Sequence, residues 1–150
     1  MLTIAPFDDI DVVRTLFLKY AQGLGVDLSF QNFDDELAAL PGDYDPILIA
    51  RWDGDVAGCV AMHPLDERLC EMKRLFVRDA FRGHGIARSL AEQLIAIARE
   101  RGFHAMRLDT LPTMRAAMSL YESLGFVDVA PYRFNPIEGS RFMELRLSSS

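Results

Sequence analysis

The run Arg82-Gly83-His84-Gly85-Ile86-Ala87-Arg88 combines two glycines with two arginines at the junction of a strand-like and a helix-like stretch. A helix begins with backbone N–H groups that lack intrahelical partners, and its dipole places partial positive charge there. Phosphate is the anion such an end accommodates best. Gly83 and Gly85 carry no Cβ, so the backbone can turn through positive φ and approach a bulky diphosphate closely, while Arg82 and Arg88 add charge. Taken alone the run allows two readings, a capped turn that uses glycine for geometry or a phosphate cradle.

The elements that would position this turn are legible on both sides of it. Cys70 to Val77 has the apolar density of a buried strand, broken by Arg78-Asp79. Downstream, Ile86, Leu90, Leu94 and Ile97 recur at helical spacing, opposite Glu92, Gln93, Arg99 and Glu100, and Gly102 stands where a C-cap belongs. Earlier in the chain, Leu2-Thr3-Ile4-Ala5 reads as a short strand. A helix follows from Asp8 or Asp9 to about Gly23, with Ile10, Val13, Phe17 and Tyr20 on one face. After a loop from Gly23 to Ser29, a second helix carries Phe33, Leu37 and Leu40 and is stopped by Pro41-Gly42. Ile47 to Trp52, Asp53-Gly54 and Val56 to Met62 form a hairpin signal, and His63 to Glu67 is a further turn. Beyond the long helix, His104 to Thr110 reads as a strand parallel to the one before it. Pro112-Thr113 opens a last helix, with Met114, Ala117, Met118, Tyr121 and Leu124 in step and Gly125 as its cap. Two strands, Phe126 to Val129 and Phe142 to Leu147, close the chain around a Pro-punctuated loop from Pro131 to Gly139.

The glycine turn, preceded by Leu75-Phe76-Val77 and followed by Leu120-Tyr121-Glu122-Ser123-Leu124-Gly125-Phe126, resembles the GCN5-related N-acetyltransferases (GNAT). Arg82, Gly85 and Ala87 match that family's Q/R-x-x-G-x-G/A phosphate turn, and the later segment matches L-Y-x-x-x-G-F letter for letter. The resemblance implies an α+β, mixed α/β, single-domain GNAT-like fold over residues 1–150. Its central mixed, mostly antiparallel sheet would have splayed parallel strands and about four flanking helices.

The same resemblance implies an acetyl-CoA-dependent N-acetyltransferase, with coenzyme A as product. The diphosphate would rest on Arg82, Gly83, His84, Gly85, Ile86, Ala87 and Arg88, and the pantetheine arm along Leu75, Phe76 and Val77. Tyr121 matches the tyrosine that protonates the departing thiolate. Glu71 and Asp109 each correspond to a position used as general base in some relatives, and ordered water serves in others. Acceptor contacts would come from the second helix and the late loop, for which Phe33, Tyr132 and Asn135 are the expected residues. Met114 departs from the pattern, since many relatives have Asn there. Family members are often homodimers, which leaves that state open.

Composition narrows the partners. The 150 residues are 50% apolar and 25% charged, enough for one domain with a real core. A net charge of −6 argues against a general nucleic-acid or anionic-membrane binder. The N-terminal aspartates and the lack of a long apolar run point to a cytoplasmic protein. Cys59 and Cys70 lie in apolar runs and read as reduced core thiols, with no metal-ligand spacing around them. Asp27, Asp34, Asp35, Glu36, Asp43 and Asp45 are either a solvated acidic surface or a lure for a protonated amine. The preferred acceptor is the primary amine of a small molecule, attacked directly in a ternary complex. The alternatives are a protein or peptide N-terminus, or a coenzyme A-binding module without turnover.

Overall fold

The computed structural model describes residues 1–24, 33–112 and 114–147. Its strands are β1 (Leu2–Pro6), β2 (Ile47–Trp52), β3 (Asp55–Pro64), β4 (Leu69–Val77), β5 (Ala105–Thr110), β6 (Val127–Asp128) and β7 (Arg141–Arg146). The helices are α1 (Ile10–Leu24), α2 (Phe33–Ala39), α3 (Ile86–Glu100) and α4 (Arg115–Ser123). One seven-stranded sheet runs β1-β2-β3-β4-β5-β7-β6, antiparallel except between β4 and β5. Among the described residues no helix is long and apolar enough to cross a membrane.

The expected mixed sheet with splayed parallel strands and four helices is therefore present. The elements differ from expectation mainly at their ends. β3 continues through His63 and Pro64, so His63 belongs to the ladder, directly across from Glu71. The expected strand over Phe126 to Val129 is only two residues long. Thr113 and Asp27, with most of the loop after Gly23, lie outside the described residues.

Two apolar clusters cover the two faces of the sheet. On one face α3 buries Ile86, Leu90, Ala91, Leu94, Ile95 and Ala98 against Met72, Leu75, Met106 and Leu108, with Tyr121 of α4 beside them. On the other, Val13, Leu16 and Phe17 of α1 and Phe33 of α2 pack on Ile47, Ile49, Cys59 and Ala61. Period-2 alternation in the strands feeds both clusters, because a sheet buried on two sides needs apolar residues on both. Cys59 and Cys70 are free and buried, and burial pushes each thiol up to about 12.

The sheet opens at its centre. β4 pairs with β5 only through Leu69↔Ala105, Cys70↔Met106 and Glu71↔Arg107, whereas β5 stays paired with β7 through Thr110. Past Glu71 the two parallel strands part, and β4 also bulges. Cys59 faces Phe76 and Ala61 faces Lys73, so Val60 alone stands opposite Arg74 and Leu75. Arg74 takes up the extra residue with φ of 61°. Lys73 and Arg74 consequently both lie on the α1/α2 side, and Leu75 returns to the α3 side.

Candidate active site

The glycine turn is built as its residues require. A 3-10 turn (Asp79–Phe81) links β4 to the loop, Gly83 and Gly85 have φ of 87° and 72°, and Gly85 is the N-cap of α3. A Cβ added at either glycine would meet nothing within 4 Å. The space over the helix end is therefore open, and glycine is demanded there by the backbone angle. Among the described residues no side chain caps α3, so its first N–H groups are open to a ligand. Arg82 pairs with Asp79 at 2.9 Å, Arg88 donates to Ser123 Oγ at 2.5 Å, and the His84 ring stacks on Trp52 at 4.4 Å. A diphosphate fits this end, because it meets an uncapped helix start, two flanking arginines and unobstructed backbone.

Where β4 and β5 part, a narrow crevice of about 20 Å³ is lined by Tyr20, Met72, Lys73, Arg74, Leu75, Asp109, Leu111, Met114 and Tyr121. The crevice joins the two sheet faces, with Tyr121 and Met114 from the α4 end and Tyr20 from α1. Tyr121 is 5% exposed, its ring packs edge-on against Phe126, and burial raises its pKa. Among the described residues its hydroxyl has no hydrogen-bond partner. A buried, protonated phenol in this position is able to donate a proton. Met114 occupies the crevice wall, with the Thr110 hydroxyl on its sulfur at 3.9 Å, so this part of the wall is apolar.

Asp109 lines the crevice and accepts from Asn135 Nδ2 at 3.2 Å. Asn135 in turn accepts from the backbone N–H of Ile137, which fixes its amide. The other expected carboxylate is in a different situation. Glu71 is fully buried, with His63 Nε2 at 2.6 Å from Oε1 and both the Tyr132 hydroxyl and Arg133 Nη2 at 2.5 Å from Oε2. Burial alone would raise its pKa, but the His63 hydrogen bond, the Lys73 charge, the Tyr132 hydroxyl and Arg133 outweigh it and hold the carboxyl at about 2. A carboxylate that acidic and that occupied is a tie between β4 and the late loop and a poor proton acceptor.

A wider pocket of about 240 Å³ adjoins the crevice through Lys73 and is walled by Glu36, Leu40, Pro41, Asp43, Tyr44, His63 and Arg133. Arg74, 3% exposed, crosses beneath it to Glu36, with Nε to Oε2 at 3.0 Å and Nη2 to Oε1 at 2.7 Å. Its guanidinium also lies over the rings of Tyr20 and Phe33. Of the expected acceptor contacts, Tyr132 is engaged with Glu71 and Asn135 with Asp109, while Phe33 is buried under Arg74 and absent from both cavity walls. Leu75 lines the crevice, Phe76 packs against Tyr20 in the α1 cluster, and Val77 packs on the α3 cluster.

The expectations omitted Tyr20, His63, Lys73, Arg74 and Arg133. Two adjacent cations inside a strand whose remaining residues are apolar except for Glu71 were a usable signal for Lys73 and Arg74. His63 required the β3–β4 register, and nothing local marked Arg133.

The chain carries the acetyltransferase domain described as the Acetyltransferase (GNAT) family, matched over residues 11–126. It belongs to that family. It is 42% identical over 146 residues to an uncharacterized N-acetyltransferase of Schizosaccharomyces pombe, covering 93% of this chain and 90% of the relative. A second uncharacterized N-acetyltransferase, from Dictyostelium discoideum, is 31% identical, covering 94% of this chain and 96% of the relative. The fold matches an acetyltransferase structure from Salmonella typhimurium determined with its cofactor acetyl-CoA, with a TM-score of 0.74 and 24% identity over 99% of this chain and 95% of that one. This GNAT protein is accordingly an N-acetyltransferase.

Proposed function

We propose that the enzyme transfers acetyl from acetyl-CoA to the primary amine of a small molecule by direct attack in a ternary complex. The observation that carries this reading is the crevice between the parting strands, which brings Tyr121 and Asp109 to one cavity between the glycine turn side and the wider pocket. Bound acetyl-CoA supplies a thioester-activated acetyl group. The backbone from Gly83 to Arg88 holds the diphosphate, and the edge of β4 from Leu75 to Val77, left unpaired by β5, takes the pantetheine as an added strand.

Asp109 receives the proton of the attacking amine, held in place by Asn135. Tyr121 donates its hydroxyl proton to the departing sulfur as the C–N bond forms and the C–S bond breaks. The Glu71 carboxylate, fully ionised, anchors the loop that covers the acceptor side. A small acceptor is favoured over a polypeptide because the wider pocket is walled by the end of α2 on one side and by Arg133 on the other.

Thermal unfolding with and without acetyl-CoA, followed by thiol release against a panel of primary amines, tests the reading. Binding to the folded state raises Tm by mass action. Tyr121→Phe should keep that shift and lose roughly 10²-fold or more in turnover. An unshifted Tm at saturating acetyl-CoA would sink the proposal.

A further inference from the structure

Among the described residues, the cationic side chains around the acceptor pocket pair with carboxylates, with one exception. Arg74 is bound by Glu36, Arg133 by Glu71, and Arg107 by Glu144 at 2.8 Å. Asp109 is engaged by Asn135. Lys73 has no carboxylate within ion-pairing distance and no hydrogen-bond acceptor among the described residues. It is nevertheless half-buried, and it lines both the crevice and the wider pocket.

Placing an ammonium there costs desolvation, and burial together with the neighbouring Arg74 lowers its pKa. The β4 bulge holds this charge in place, because it turns Lys73 and Arg74 onto the same side, and Glu36 then takes the arginine alone. A second cationic group, Arg133, shares the pocket wall, and its Nε is buried without a partner among the described residues. An amine substrate with no anionic group would meet this lysine as like charge. A substrate carrying a carboxylate beside its amine would complete the pairing and seat its amine towards Asp109 and Tyr121.

Resting on the acetyl-transfer reading above, we infer that the acceptor is an amino acid or a close analogue, whose carboxylate is bound by Lys73 at the mouth of the crevice. The lysine thereby selects for the carboxylate and orients the neighbouring amine; it takes no part in proton transfer.

The test uses the twenty proteinogenic α-amino acids, each matched with its decarboxylated amine, in a thiol-release assay with acetyl-CoA. The expected result is at least one amino acid with kcat/KM roughly tenfold or more above its matched amine. In Lys73→Gln that ratio should fall to about one through a raised acceptor KM, with the KM for acetyl-CoA unchanged and Lys73→Arg restoring most of the preference. Turnover of the decarboxylated amines alone would overturn the inference. So would a ratio unaltered in Lys73→Gln, or turnover of neither series while acetyl-CoA still raises Tm. In those cases the acetyl-transfer reading survives, since only an absent Tm shift removes that.

Discussion

The Tyr132 hydroxyl donates to Glu71 Oε2 at 2.5 Å, tying the loop ahead of β7 to the buried half of β4. Arg133 Nη2 reaches the same oxygen, and His63 holds the other. Three donors from two distant segments thus converge on one carboxylate, and its charge is what keeps them together.

That convergence gives stability a pH dependence of definite sign. Glu71 titrates at about 2 when folded against a usual 4.5, so its contribution is complete above about pH 4.5 and is lost as the pH falls towards 2. The size is on the order of 3 kcal/mol. Glu71→Gln should lose about that much at pH 7 by urea unfolding, with the gap to wild type closing as the pH approaches 3. The acid limb of kcat/KM should not move in this variant, whereas a shifted limb would restore Glu71 as the base.

Arg74 combines a bidentate ion pair with a left-handed backbone. Removing one member of a buried pair strands the other, at a cost of about 3–5 kcal/mol, and Arg74→Ala should show it in denaturant unfolding. Arg74→Gly should be less destabilised than Arg74→Ala by about 1 kcal/mol, because glycine relieves the positive φ. Equal losses would mean that the bulge relaxes when the side chain is gone.

Gly85 and Gly102 stand at opposite ends of α3, both at positive φ and both with open space where a Cβ would go. Alanine should cost each site a similar 1–2 kcal/mol of stability. Only at Gly85 does the added side chain project over the uncapped helix start. Gly85→Val should therefore weaken acetyl-CoA by roughly tenfold or more while Gly102→Val leaves its affinity unchanged, as read from Tm against coenzyme concentration. Unchanged affinity in Gly85→Val would remove the turn from the coenzyme site.

Trp52 is the single tryptophan of the chain, and it stacks on His84 within the turn. Coenzyme docking on the turn should alter its emission, saturating at the concentration that saturates the Tm shift, and Trp52→Phe should abolish the signal without abolishing the shift. A Tm shift with silent Trp52 emission would place the coenzyme away from His84.

Much of this was readable in local pattern. Helical spacing from Ile86 to Ala98, the Asp53-Gly54 hairpin and the glycine turn are governed by neighbours within a few residues, so the chain's own order specifies them. The matched segments around Gly85 and Tyr121 carried the family for the same reason.

What tertiary structure decided is where side chains end up after long-range pairing. Strict alternation along β4 would have sent Arg74 into the α3 core, and a one-residue bulge, visible only in the register with β3, turned it to Glu36 instead. Glu71 and Asp109 were indistinguishable as carboxylates on neighbouring strands. Burial under His63, Tyr132 and Arg133 separated them, and those partners come from positions that no local spacing connects to Glu71. The sequence by itself determined the elements and the family; the charge each buried group carries was decided by the company the fold gives it, because desolvation and ion pairing act through space.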